Sequence, residues 1–106
     1  MQQINSTTLK DKLDNKIDII LVDVREPEER AVFNIGGEFI PLGNVLSLQV
    51  DALEDYKDKE IVCYCRSGMR SLQACMMLET MGYTNVNNLE GGMLAWQEIN
   101  GVAYSK

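Results

Sequence analysis

The order of apolar segments predicts an α/β fold around a mostly parallel sheet. Two runs carry most of that expectation. Ile19-Ile20-Leu21-Val22-Asp23-Val24 and Ile61-Val62-Cys63-Tyr64-Cys65 are continuous and rich in β-branched residues, the pattern of strands buried on both faces. Helical spacing follows each run, and strands alternating with helices imply parallel pairing with helices as cover. The chain has 106 residues, which suits one domain, 1–106. A chain of that size buries about two-thirds of its unfolded surface, so neither disulfides nor a metal are needed for folding.

The elements follow in order. Gln3-Ile4 is a short first strand, and Ser6 is placed as the N-cap of a helix reaching Leu13, with Leu9 and Leu13 on one face. After the strand at 19–24, Glu26-Pro27-Glu28-Glu29 starts a helix, with Pro27 near its first position and acidic residues favoured by the helix dipole. Gly36-Gly37 ends it, and Glu38-Phe39-Ile40 is extended up to Pro41. Leu46 to about Tyr56 reads as an amphipathic helix closed by Lys57-Asp58-Lys59. The strand at 61–65 leads to a helix from Met69 or Arg70 to Met81, stopped by Gly82. Val86 to Leu89 is the last strand, followed by Gly91-Gly92 and a short helix around Leu94-Ala95-Trp96.

Composition narrows the function. The net charge is −6, which disfavours nucleic acid and anionic membrane as partners. The start of the chain lacks a basic stretch followed by an apolar one, and no run reaches the length of a membrane span. An odd count of three cysteines without an export signal points to reduced thiols and a cytoplasmic location. No histidine and no Cys-x-x-Cys pair are present, so the chain has no ligand set for a structural zinc, and no cofactor is expected.

The chemistry concentrates in Cys65-Arg66-Ser67-Gly68-Met69-Arg70-Ser71. Ligands of open α/β sheets bind beyond the carboxyl ends of strands, and Cys65 sits at such an end. Gly68 permits the tight turn that swings the chain into the next helix. A tight turn feeding a helix N-terminus gathers backbone N–H groups into a concavity that holds anions. A thiolate there is itself the anion, so Cys65 is expected to be an acidic nucleophile. Arg66 and Arg70 are half of the chain's four arginines and add positive charge. Cys63, in mid-strand, and Cys75, in an apolar helix, read as core thiols. So do most of Met76, Met77, Met81 and Met93, with Met69 at the rim of the site and Trp96 as a core anchor.

The loop resembles the active-site loop of rhodanese-homology domains. Leu21-Val22-Asp23-Val24-Arg25-Glu26-Pro27-Glu28-Glu29 resembles the family's first signature, and Leu89-Glu90-Gly91-Gly92-Met93-Leu94-Ala95-Trp96 its closing one. The resemblance implies a five-stranded parallel sheet in order 1-5-4-2-3. It also implies that Cys65 takes a sulfane sulfur from a thiosulfate-type donor as a persulfide. A thiophilic acceptor, cyanide or a thiol, then removes that sulfur. Residues 66–71 would bind the donor, with Asp23 and Arg25 in support or else joined in an ion-pair network that fixes the turn. Asn34 stands where the family often has a histidine.

Four functions compete: a sulfurtransferase using small donors, a persulfide carrier serving a protein donor or acceptor, a non-catalytic interaction domain, and a phosphatase or arsenate reductase. The intact Cys65 loop counts against the third. The fourth uses Cys-x₅-Arg loops, whereas Cys65 and Arg70 frame Cys-x₄-Arg.

Overall fold

A computed structural model describes residues 1–102. Five strands form one parallel sheet: β1 (Gln2–Ile4), β2 (Ile19–Asp23), β3 (Glu38–Phe39), β4 (Glu60–Tyr64) and β5 (Val86–Leu89). Their spatial order is β1-β5-β4-β2-β3, as the family resemblance implies. The helices are α1 (Ser6–Asp14), α2 (Pro27–Val32), α3 (Leu42–Leu46), α4 (Met69–Thr80) and α5 (Gly92–Asn100), with a 3₁₀ segment at Asp51–Tyr56. None of the helices among the described residues is long and apolar enough to cross a membrane.

Two cores flank the sheet, because successive side chains of a strand point to opposite faces. Val22, Cys63 and Val86 pack with Val45, Leu53, Ala74, Cys75 and Leu78 beneath α3 and α4. Leu21, Val62, Tyr64 and Leu89 pack with Leu9, Met93 and Trp96 beneath α1 and α5. Both central strands are thus covered on both sides, which explains their unbroken apolar runs.

Several boundaries differ from the sequence reading. Asn5, not Ser6, caps α1: its side-chain oxygen accepts from Thr8 N at 2.8 Å, and Ser6 is the first helical residue. Helix α2 ends at Val32, before the Gly36-Gly37 pair, with Phe33 already extended. The expected helix from Leu46 to Tyr56 is two elements instead. Val45, Val50 and Leu53 all reach the core, and a five-residue step from 45 to 50 does not fit one helical face. The chain therefore breaks between them, with Leu48 at φ 65 and exposed. Met76 also departs from expectation. Ser71, Ala74, Cys75 and Leu78 take the inward face of α4, which turns Met76 out to 57% exposure. The last helix is longer than Leu94–Trp96 suggested, running from Gly92 to Asn100.

Candidate active site

Strand β4 ends at Tyr64, and Cys65 is the next residue, 1% exposed at the carboxyl edge of the sheet. Its register neighbours are β2, which ends at Asp23, and β5. Four residues later α4 has begun. Gly68 makes the turn at φ 103, where a residue with a Cβ is strained.

Two amides and a hydroxyl surround the sulfur. The N–H of Gly68 lies 3.1 Å from Cys65 Sγ and that of Ser71 lies 3.4 Å away, while Ser71 Oγ is at 3.3 Å. Burial pushes the Cys65 thiol up, but the Ser71 hydroxyl and the amides of Ser71, Gly68 and Ser67 outweigh it, and the net direction is down. The loop thus favours the thiolate at Cys65. Cys63 shows the opposite: its hydrogen bond with Cys75, then burial, raises it well above an ordinary thiol. Cys63 and Cys75 are both fully buried in the α3–α4 core.

The closing Gly91-Gly92 pair explains why the loop amides face inward. At the start of α5, Met93 N donates to Cys65 O at 2.9 Å and Leu94 N donates to Arg66 O at 3.0 Å. These bonds hold the loop carbonyls outward, leaving the next amides free for the sulfur. Such close approach requires a glycine: a Cβ on Gly92 would lie 2.5 Å from Arg66 O and 2.6 Å from Cys65 O.

The two arginines of the loop take different partners. Arg70 forms a two-pronged pair with Glu29 of α2, both contacts at 2.8 Å. Those hydrogen bonds hold the Glu29 carboxyl down at about 2. Its charge is therefore largely matched before any ligand arrives. Arg66, Ser67 and Met69 are exposed, and Arg66 lines a cleft of about 240 Å³ with Arg25, Glu29, Phe33, Met93 and Leu94. Cys65 does not itself line this cleft, which meets the loop at Arg66.

Asp23 and Arg25 form the ion-pair network foreseen as one of their two readings. Arg25 Nε donates to Asp23 Oδ1 at 2.8 Å and its Nη2 to Asp23 Oδ2 at 2.9 Å and Phe33 O at 2.7 Å. Arg30 adds a contact to Asp23 at 3.2 Å. Asp23 thus holds Arg25 in place while Arg25 reaches the backbone at Phe33. Asn34 fills its own role locally, donating to Arg30 O at 3.1 Å and accepting from Gly36 N at 2.8 Å.

Sequence reasoning missed two residues. In the sequence Glu29 stands as a helix-start acid within the first family-like run, and its pairing with Arg70, 41 residues away, is tertiary. Asn88 was read only as strand. It is 3% exposed and bonds to Ser71 Oγ and to Gly68 O. A signal existed, since asparagine in a buried strand is costly unless paired.

Known proteins agree with this architecture. The model of the rhodanese-like domain matches residues 5–99. A sulfurtransferase of Allochromatium vinosum is 38% identical over 96 residues, covering 91% of this chain and 88% of that protein. Among solved structures, a rhodanese-like domain protein from Staphylococcus aureus superposes with a TM-score of 0.80 at 32% identity, covering 91% of each chain. A human single-domain sulfurtransferase gives 0.78 at 30% identity, covering 92% of this chain and 96% of that one. With the sheet order, the Cys65 loop and the family match in agreement, this chain belongs to the rhodanese-like family.

Proposed function

We propose that the protein is a sulfurtransferase that carries a sulfane sulfur as a persulfide on Cys65. The convergence of the Ser71 hydroxyl and the Gly68 and Ser71 amides on one buried sulfur carries this reading. Those donors favour the thiolate, the form that attacks sulfur. In the loading step Cys65 Sγ bonds to the outer sulfur of a thiosulfate-type donor. The sulfur–sulfur bond of the donor breaks, and its electron pair leaves with sulfite. The negative charge now sits on the terminal sulfur of the persulfide, where inward amides stabilise it. Cyanide or a thiolate then bonds to that terminal sulfur, and the electron pair of the broken bond restores the Cys65 thiolate. The cycle is a two-step exchange through a covalent intermediate and requires no cofactor.

A protein donor or acceptor is a second reading, favoured by two observations. Arg70 is already engaged by Glu29, so a small anion must compete for it. The cleft beside the loop is lined by the apolar Val32, Phe33, Met93 and Leu94 with exposed Arg66 where it meets the loop, which suits a peptide chain with an acidic or carboxylate end.

The test is intact-mass measurement after incubation with thiosulfate, and again after adding cyanide, a thiol or a candidate protein. A gain of one sulfur, removed by the acceptor, is expected for the native protein and for Cys63→Ser and Cys75→Ser. Cys65→Ser is expected to keep the fold and gain nothing. Persulfide on the Cys65→Ser protein would assign the nucleophile elsewhere. Slow turnover of thiosulfate with fast loss of the sulfur to a protein would favour the carrier reading.

A further inference from the structure

Ser71 Oγ lies between two acceptors but has one proton to give. On one side is Cys65 Sγ at 3.3 Å; on the other, Ser71 donates to Asn88 Oδ1. A hydroxyl donates once and accepts freely. The orientation of the Asn88 amide is not arbitrary. Its Nδ2 donates to Gly68 O at 3.1 Å and to Gln3 Oε1 at 3.2 Å. A backbone carbonyl only accepts, so the NH₂ must face Gly68 and the carbonyl oxygen is left facing Ser71. All three side chains are buried, at 1%, 0% and 3% exposure for Cys65, Ser71 and Asn88, so a loss of partner is not readily made good by water.

We propose that Asn88 is a positioning residue that competes with Cys65 Sγ for the single proton of Ser71, so that the hydroxyl turns as the charge on Sγ changes. With a neutral thiol, Cys65 S–H donates to Ser71 Oγ and the hydroxyl donates to Asn88. With a thiolate, the hydroxyl turns to Sγ, and Asn88 Oδ1 loses its donor. In the persulfide the charge has moved to the outer sulfur, Sγ needs no third donor, and the proton returns to Asn88. Asn88 thereby favours the loaded state over the free thiolate while its Nδ2 holds the Gly68 turn. The thiol-to-thiolate stage releases the Cys65 proton to solvent, the persulfide stage is the sulfur transfer written above, and the rotation of the hydroxyl itself exchanges only hydrogen bonds. The inference deepens the sulfurtransferase reading and rests on it for the persulfide stage, but the thiol–thiolate stage stands on geometry alone.

Other groups face the sulfur. Cys63 lies beside it on β4 and, as a free thiol, shares a hydrogen bond with Cys75 of α4. Arg70 of α4 interacts with it by charge and is held by Glu29 of α2, with Glu26 also acting on Arg70. Arg66 follows it in the loop. The hydrogen bonds of Asn88 go to none of these, so a substitution at 88 acts on the sulfur through Ser71 and the Gly68 turn.

The test is the pH profile of Cys65 alkylation by iodoacetamide in the native protein, Asn88→Ala, Ser71→Ala and the double variant, with the modified residue assigned by peptide mass. Freed of its competitor, Ser71 is expected to lower the alkylation midpoint of Asn88→Ala by about one pH unit, the scale of a hydrogen bond to a charged group. In the Ser71→Ala background the downward shift is expected to be lost, because the proton in dispute is gone and only the Gly68 turn remains for Asn88 to act through. A midpoint in Asn88→Ala equal to or above the native one, or an equal shift in both backgrounds, would overturn the proposal. The native protein supplies a second measurement that needs no variant to fold. The side-chain ¹³Cγ resonance of Asn88 is expected to move with the Cys65 titration and to return to its thiol-state position on conversion to the persulfide. A resonance that ignores the titration would overturn the competition. One that follows the titration, in a protein that gains no sulfur from any donor, would leave the competition standing and remove the sulfurtransferase reading.

Discussion

Burial alone would push the Cys65 thiol up, and the residue is 1% exposed. What reverses the direction is a hydroxyl and a set of amides, not the arginines that the sequence places nearby. Arg66 extends to the surface cleft and Arg70 is matched by Glu29. Ser71→Ala is therefore expected to raise the alkylation midpoint of Cys65 by about one pH unit, and Arg70→Ala to raise it less. Equal shifts from the two substitutions, read by iodoacetamide rates across pH, would return the main role to charge. The sequence placed Cys65, Gly68 and Ser71 in one short run, so this part of the site was legible. The role of Asn88 was not, because which groups its buried amide meets depends on how β5 packs against the start of α4.

Two contacts between elements set the loop. The first joins α5 to the turn after β4, where Gly92 comes against the carbonyls of Cys65 and Arg66. Gly92→Ala introduces a Cβ into occupied space at φ 56. It is expected to cost about 1–3 kcal/mol of stability and, by shifting the loop, to slow alkylation of Cys65; denaturant titration and alkylation kinetics read the two effects. The second contact joins α2 to α4 through Glu29 and Arg70. Chiefly through the hydrogen bonds of Arg70, the Glu29 carboxyl falls from 4.5 to about 2 on folding. A carboxyl lowered on folding stabilises the protein above its unfolded value, and that stabilisation is lost as pH falls through the folded one. The window here is about pH 4.5 down to 2. With Glu29 and Arg70 side chains 30% and 33% exposed, solvent screening limits the pair to about 1 kcal/mol. Glu29→Gln is expected to remove that part of the acid dependence, measured as unfolding midpoint against pH; an unchanged acid slope would deny the pair any role in stability. Its partner lies 41 residues away, and a helix-start acid carries no mark of such a partner.

For the molecule as a whole, loop length separates sulfur from phosphate chemistry. Cys65 and Arg70 frame a Cys-x₄-Arg loop, and the amides of Gly68 and Ser71 already approach within 3.1 and 3.4 Å of the sulfur. On the proposed reading that ring seats a persulfide sulfur, and it is expected to crowd a tetrahedral phosphoryl group on the same cysteine. Hydrolysis of aryl phosphates is expected to stay at background in the native protein. Inserting one glycine between Met69 and Arg70 is expected to impair sulfur transfer and ease phosphate or arsenate binding. Cys65-dependent phosphatase turnover in the native chain would overturn that assignment.

The sequence by itself determined the alternation of strands and helices and the place of the Cys65 loop. Continuous β-branched runs need cover on both faces, and helical spacing between them supplies it. The strand end, Gly68 and the helix start are neighbours in the chain, so their geometry is local and readable. It also determined that Cys63 and Cys75 are core thiols, from their apolar settings. The break between Val45 and Val50 was left to tertiary structure, because only the position of the core decides which apolar residues turn inward. The same is true of the partners of Arg70, Arg25 and Ser71. Polar side chains find their acceptors across elements far apart in sequence, and composition does not record which strand or helix will lie opposite. Local chain geometry made the cradle, and packing decided which charges and which amide would tune it.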